Sequence, residues 1–417
     1  MKLKTLESIN LKDKTILYRA PYDIDVKPAR PDSRSGGEVG GALEVVDDMR
    51  IKATIPTLEY LIKESCKIII LTYVGRPDGV VVENLRTTPH ARRLSELLNH
   101  PVLKADDCVG GEVDEKISSM HSGDILMLEN VRFHKEEMID DDSFAEKLCQ
   151  GKDLIVFDGF PQAHRIHAST TGILRHLPAV SGRYFESEVK MLSNLLENPQ
   201  HPFTVIIGGV KISDKVDAVL NLLEIADTIL VGGAVANVFL KAQGRVLGSS
   251  FIEDVFVDKV KREKKDWVED AKEILKKADS LGKKIIIPND LLISDGTSTR
   301  VITTEEVPIG WMAFDVGPNT QKIFRDVISR SKTVFLNGPM GKFEDEKFRA
   351  GSLAILDAMK KLKRDVGGGT IVAGGDTIDL VRTYGNLGDF THISLAGGAT
   401  SEFLAGKVLP VLKMLME

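Results

Sequence analysis

The run Thr204-Val205-Ile206-Ile207-Gly208-Gly209 constrains the fold more than any other stretch of this 417-residue chain. Four β-branched residues with no polar alternation suit a parallel strand buried on both faces, and such a strand needs helices on either side of its sheet. The glycine pair ends the strand and lets a ligand approach the backbone. Lys211 and Lys215 follow one helical turn apart, with Lys215 expected in the first turn of a helix opened by Ser213 and carried by Val216, Val219, Leu220 and Leu223. A cation there opposes the helix dipole unless an anion sits at the same end, where amide N–H groups and two ammonium groups would converge on a phosphate. Two solvated lysines beside an ordinary βα turn are the competing account.

The same alternation runs through the chain. Strands are expected at 15–19, 67–73, 124–128 and 153–157, then at 204–207, 228–231, 284–288, 332–336, 370–373 and 392–395. Helices are expected at 54–64, 89–98 and 143–150, with a long charged one over 254–281. Repeated βα units predict an α/β fold of two doubly wound parallel sheets. An amphipathic helix over 185–197, with Val189, Leu192, Leu195 and Leu196 on one side, leads into the stiff Asn198-Pro199-Gln200-His201-Pro202. The expected division is an N-terminal domain over 1–184, an interdomain helix and linker over 185–202, a C-terminal domain over 203–405 and a final helix over 406–417. Residues 28–48, rich in Pro, Gly and charge, read as a solvated mobile loop.

Composition narrows the function. Apolar content of 42% and charged content of 28% are those of a soluble globular protein, no apolar run reaches the roughly 20 residues that span a bilayer, and the start lacks an apolar signal core. A cytoplasmic protein without a membrane partner is expected. A formal net charge of −6 argues against nucleic acid as the main partner while leaving room for a local basic cleft. Cys66, Cys108 and Cys149 are odd in number and have no second ligand at metal spacing, so they read as buried reduced thiols.

Ligands of doubly wound sheets bind beyond the carboxyl ends of the strands. In the first half those loops carry Arg19, Gly75-Arg76-Pro77, Glu129-Asn130-Val131-Arg132-Phe133 and Ala163-His164-Arg165-Ile166-His167, and Arg50 stands just before a helix. Several guanidinium groups in one cleft suit a small, multiply anionic acid. In the second half the loops are glycine-rich: Gly208-Gly209, Gly232-Gly233, Asn337-Gly338-Pro339-Met340-Gly341, Gly374-Gly375-Asp376-Thr377 and Gly397-Gly398-Ala399-Thr400. Five such loops point to a nucleotide, with Asp376 suited to a Mg2+ that keeps most of its water. Neither G-x-x-x-x-G-K-[ST] nor a usable G-x-G-x-x-G follows a strand, which counts against a P-loop enzyme and a nicotinamide dehydrogenase.

Taken in order with Val210-Lys211-Ile212-Ser213-Asp214-Lys215, Asp315-Val316-Gly317-Pro318 and Gly341-Lys342-Phe343-Glu344, these stretches make the chain resemble the phosphoglycerate kinase family along nearly its whole length. The resemblance implies phosphoryl transfer between 1,3-bisphosphoglycerate and MgADP, giving 3-phosphoglycerate and MgATP, by a monomer. By the same analogy Arg50, Arg76, Arg132, Arg165, His164 and His167 hold the phosphoglycerate, with Arg50 also stabilising the transferring group. Lys211 and Lys215 follow the nucleotide phosphates, Asp376 holds the magnesium, Thr377 supports its loop, alongside Gly374 and Gly375, and Gly397 and Gly398 present amides to the moving phosphoryl. Gly209, Gly233, Gly317, Asn337 and Glu344 would line the adenosine slot, and the final helix would pack back on the first domain. The interdomain helix is the expected lever for closing one substrate upon the other.

The chain departs from the family pattern after its first strand, where Arg19-Ala20-Pro21-Tyr22-Asp23 stands in place of Arg-Val-Asp-Phe-Asn, and at Tyr73, where a histidine is usual. Pro21 cannot accept the hydroxyl hydrogen bond of a glycerate, a loss of roughly 1–3 kcal/mol that Asp23 or Tyr73 would have to replace. Two alternatives therefore stand beside the main reading: a kinase of the same fold with another small acid, and a nucleotide-binding protein with little turnover.

Overall fold

The structure, a computed structural model, describes residues 1–29, 43–258 and 263–417. Most of the expected 28–48 loop and part of the expected 254–281 helix lie outside the described residues. The chain forms two compact units, Met1–Lys190 with Val408–Glu417, and Met191–Lys407.

The first unit is built on strands β1 (Thr15–Arg19), β2 (Lys67–Leu71), β3 (Val102–Lys104), β4 (Ile125–Met127), β5 (Leu154–Phe157) and β6 (Ala179–Ser181). All are parallel, in the order β3-β4-β2-β1-β5-β6. Every residue of β4 and β5 is buried, which is why these strands read as continuous apolar runs. Helix α1 (Met49–Lys63) covers one face, setting Ile51, Leu58 and Leu61 against Ile16, Tyr18, Ile68 and Ile70. It starts earlier than the apolar period suggested, so Arg50 belongs to its first turn rather than preceding it. The chain passes from β1 to β2 on one side and returns to β5 on the other, and the loops after β1 and β5 diverge at that switch point. Helix α2 (Arg183–Glu197) follows β6, and the division between the units falls within it.

The second unit uses β7 (Phe203–Ile207), β8 (Thr228–Val231), β9 (Lys284–Ile286), β10 (Thr333–Asn337), β11 (Gly369–Ala373) and β12 (His392–Ser394), parallel throughout in the order β9-β8-β7-β10-β11-β12. Its switch point lies between β7 and β10, so the loops carrying Gly208-Gly209 and Gly338-Pro339 leave the sheet side by side. Helix α3 (Val216–Ile225) begins after a turn that includes Ser213, which places Lys215 at the N-cap rather than inside the first turn.

The expected helix over 254–281 is shorter than its charge pattern implied. Val255–Asp258 pairs antiparallel with Glu263–Asp266, and helix α4 (Trp267–Ser280) starts where the Asp266 side chain accepts the N–H groups of Val268 and Glu269. A second unforeseen element is an antiparallel sheet of Thr299–Thr303, Asp290–Ser294 and Met312–Val316, inserted between β9 and β10. Its first hairpin turns at Asp295-Gly296, where Asp295 Oδ1 accepts the N–H groups of Thr297 and Ser298 and Gly296 takes φ +94°.

Helices α5 (Gly375–Tyr384) and α6 (Gly398–Leu404) open directly at the glycine loops after β11 and β12. The closing helix α7 (Pro410–Leu415) belongs to the first unit. It buries Leu412 and Leu415, its Val411 N–H donates to the carbonyl of Ala163, and Leu3 bridges to Met416.

Candidate active site

In the first unit the loops after β1, β2, β4 and β5 assemble a cluster of cations held by backbone oxygen. Arg50 Nη1 donates to the carbonyl of Asp23, Asp23 Oδ1 accepts the Gly75 N–H at 2.9 Å, and the Gly75 carbonyl accepts Arg132 Nη1 at 2.7 Å. Arg132 lies 3.5 Å from the centroid of the Tyr73 ring. Tyr73 is itself buried and its hydroxyl accepts from Gln162 Nε2 at 3.4 Å, so its ring supports Arg132 from beneath rather than presenting itself to a ligand.

Arg19, expected to touch a ligand, is wholly enclosed. Its Nε donates to the Ser169 carbonyl at 2.9 Å, while the Ser169 N–H and hydroxyl donate to the buried Glu137 at 2.8 and 2.7 Å. Burial works against its charge and Glu137 offsets part of that cost. Arg19 is therefore scaffold beneath the cluster, which the letter R after a strand could not reveal.

Arg76 and Arg165 are exposed, His164 is partly buried and His167 is buried. Burial, with Arg165, holds His164 down to about 4, and burial, with Arg132, Arg165 and Arg19, does the same to His167. Both imidazoles are neutral at physiological pH, His167 chiefly through burial, with the guanidinium groups of Arg132, Arg165 and Arg19 adding to the effect.

In the second unit the glycine loops interlock. A Cβ on Gly208 would lie 2.2 Å from the Pro339 carbonyl oxygen, one on Gly338 2.2 Å from that of Gly208, and one on Gly233 2.6 Å from the Gly209 nitrogen. The Gly209 N–H donates to the Pro339 carbonyl at 2.7 Å and that of Gly233 to Met340 at 3.0 Å. Two cavities open beside the crossing, one reaching Gly338 and the other Gly209, Gly233 and Pro339.

The first, about 450 Å³, is lined by Lys215, Asn337, Gly374, Gly375, Asp376, Thr377, Gly397 and Gly398, joined by Asp214, Asp217, Ser401, Glu402 and Lys407. Lys215 is only partly exposed, and burial makes its charged form less favourable than in water, a deficit a bound anion would repay. Its Nζ donates back to the Lys211 carbonyl at 3.1 Å. Lys211 is exposed and lines neither cavity. Thr377 is buried and its hydroxyl accepts the Gly338 N–H at 2.7 Å, tying this loop to the crossing. Nothing lies within 4 Å of where a Cβ on Gly375 or Gly397 would stand, so the backbone there is open.

The second cavity, about 340 Å³, has largely apolar walls: Phe251, Leu291, Met312, Phe314 and Phe343 with Gly209, Gly233, Asn237 and Glu344. Asn337, expected here, lies in the other cavity, and Gly317 lines neither, since it is packed on Asp290 at the start of the next helix. The inserted antiparallel strands supply Leu291, Met312 and Phe314, which is why reading loops alone missed that wall. Asp376 is exposed and lines both cavities.

Asp315, also lining the apolar cavity, is 3% exposed and accepts the N–H groups of Val316 and Gly351, each at 2.8 Å. Burial still raises its pKa from 3.8 to about 7. The folded chain then keeps this proton where the unfolded chain has lost it, so stability falls as pH rises from about 4 to about 7 and levels off above. Denaturant melts across that window should show the slope in the parent and a flatter profile in Asp315→Asn, whereas equal slopes would place the carboxyl in a better solvated setting.

A family model described as phosphoglycerate kinase matches residues 6–407. The phosphoglycerate kinase of Pelotomaculum thermopropionicum is 38% identical over 100% of both chains, and that of Microcystis aeruginosa 40% identical over 99% of this chain and 98% of its own. Among solved structures, phosphoglycerate kinase from Coxiella burnetii is similar with a TM-score of 0.82 at 31% identity, and that from Pyrococcus horikoshii with 0.81 at 31%, each covering 99% of this chain and 98% of the other.

Proposed function

The chain belongs to the phosphoglycerate kinase family, and from that footing we propose how its own residues divide the work. The activity is reversible transfer of a phosphoryl group between 1,3-bisphosphoglycerate and ADP, giving 3-phosphoglycerate and ATP. Transfer of this kind needs alignment and charge stabilisation more than covalent help, because the attacking oxygen is already ionised.

In the proposal Arg132, Arg165 and Arg76, with neutral His164 and His167 as hydrogen-bonding partners, receive the acid's phosphate and carboxylate. Tyr73 and Arg19 hold that group in place from behind. Asp23 spends one carboxylate oxygen on the Gly75 N–H, leaving the other to meet the substrate hydroxyl that Pro21 cannot. Arg50 acts on the transferring group.

The observation that carries the nucleotide assignment is Asp376, shared by an apolar cavity and a cavity lined by open glycine backbone and a lysine. A ligand with an apolar ring at one end and phosphates at the other would thread past that carboxylate. Gly209, Gly233 and Glu344 then face adenosine, and Lys215, Gly374, Gly375, Thr377, Gly397 and Gly398 face the phosphates, with Lys211 at the rim. One exposed carboxylate beside phosphate oxygens is the donor set a Mg2+ takes, and the ion would neutralise phosphate charge there. Among the described residues no helix is long and apolar enough to cross a membrane. On its family membership we take the enzyme to act in the cytoplasm, as a monomer.

A coupled assay with ATP and a panel of short phosphorylated acids tests the reading. Turnover with 3-phosphoglycerate at least about 100-fold above any other acid is expected. A faster alternative acid would make Pro21 and Asp23 the marks of a different substrate, and ADP binding without turnover would leave only a nucleotide-binding scaffold.

A further inference from the structure

Two loops of the first unit bring together three side chains that the kinase reaction does not use. The loop after β3 carries Asp107 and Cys108, and the turn after β4 ends at His134. Cys108 is 1% exposed, while Asp107 and His134 are half-buried. His134 Nε2 stands 2.7 Å from Asp107 Oδ1, and one ligand atom from each of the three residues lies within 4.8 Å of the other two.

The arrangement is fixed from several sides. The Glu129 N–H donates to the Asp107 carbonyl at 3.2 Å, Asp107 Oδ1 accepts the Cys108 N–H at 2.6 Å, and the His134 ring stacks on Phe144 with centroids 5.0 Å apart. Burial, with the carboxylates of Asp107 and Glu137, pushes the Cys108 thiol well above its ordinary range. Burial is the larger cause, and the two nearby carboxylates add a negative charge that attracts a cation. Lys152 is the opposing charge nearby, and burial weakens its own charged form.

We propose that Asp107, Cys108 and His134 bind a zinc-class divalent ion, with water completing four-coordination. One imidazole nitrogen, one carboxylate oxygen and one thiolate sulfur form a tetrahedral zinc donor set, whereas Mg2+ prefers oxygen alone. Metal–ligand lengths near 2.0–2.3 Å put tetrahedral ligands about 3.4–3.7 Å apart, so the site forms by movements of roughly 1 Å. On binding, the Cys108 S–H bond breaks, its proton leaves to solvent and an S–metal bond forms. The proton between His134 and Asp107 moves to Nδ1, freeing Nε2 as ligand.

Cobalt(II) titrated into the full chain tests this through its absorption spectrum. One equivalent should produce a thiolate-to-cobalt charge-transfer band that Zn2+ bleaches and excess Mg2+ leaves intact. Cys108→Ser should abolish the band, and His134→Gln should weaken binding at least about tenfold, while Cys66→Ser and Cys149→Ser keep both. Absence of the band at saturating cobalt, or its persistence in Cys108→Ser, would overturn the proposal. Should Cys108→Ser fail to fold, parental cobalt affinity in His134→Gln would overturn it instead.

Discussion

Replacing Arg50 by alanine is expected to lower kcat by at least about a thousandfold while moving the KM of either substrate by no more than a few fold. The residue sits in the first turn of α1 with Nη1 on the Asp23 carbonyl, and Asp23 and Gly75 link that carbonyl to Arg132. Its guanidinium is thus aimed by the same short backbone path that aims the substrate-holding arginine. The proposed role is to meet charge spread over the equatorial oxygens of the moving phosphoryl, a contact strongest in the transition state. Lysine at this position should recover only part of the loss, because a single ammonium cannot both keep the Asp23 bond and reach the phosphoryl. Steady-state kinetics with ATP and 3-phosphoglycerate varied in turn decides the matter. A variant with raised KM and parental kcat would make Arg50 a ground-state binder.

Gly338→Ala and Gly397→Ala should fail in opposite ways. Gly338 has φ +101°, and its added Cβ would meet the Gly208 carbonyl at 2.2 Å, with backbone on both sides of the clash. Backbone strain and overpacking together should cost about 4 kcal/mol, seen as a large fall in the melting temperature. Gly397 also has positive φ, +54°, but its Cβ would enter open space. With ψ −113° the residue lies outside the left-handed helical region, so that variant should fold at a cost of about 1–3 kcal/mol, yet lose about 100-fold in kcat, since an amide proposed to face the phosphoryl would be displaced. Thermal melts paired with activity separate the two. A Gly338 variant that melts like the parent would mean the two loops are looser than their geometry implies, and a fully active Gly397 variant would remove that residue from the site.

Both sheets were legible because a strand covered on two faces is apolar along its buried length, as in residues 68–71 and 205–207, and the β-branched content of these short runs favours strand over helix. The loops that follow them were legible for the same topological reason. What escaped was whatever depends on three-dimensional company. Arg19 and Arg132 look alike as letters, but only one is roofed over by Ser169 and Glu137. Tyr73 looked like a ligand contact until its ring was found under a guanidinium. The apolar wall of the second cavity comes from an insertion not foreseen from the sequence; the Asp295-Gly296 turn between Asp290–Ser294 and Thr299–Thr303 is the signal that marks it. All three cysteines are buried and free as expected, while the approach of His134 to Cys108 from a different loop was not legible in the spacing.

The first unit contains Val408–Glu417, residues that follow the whole of the second unit in sequence. With Leu3 paired to Met416 and Val411 bonded to Ala163, that unit lacks these contacts until residues 408–417 have been made. On the ribosome the unit begun first is therefore completed after the second, and the nucleotide half can reach its native state while its elder neighbour still waits for helix α7.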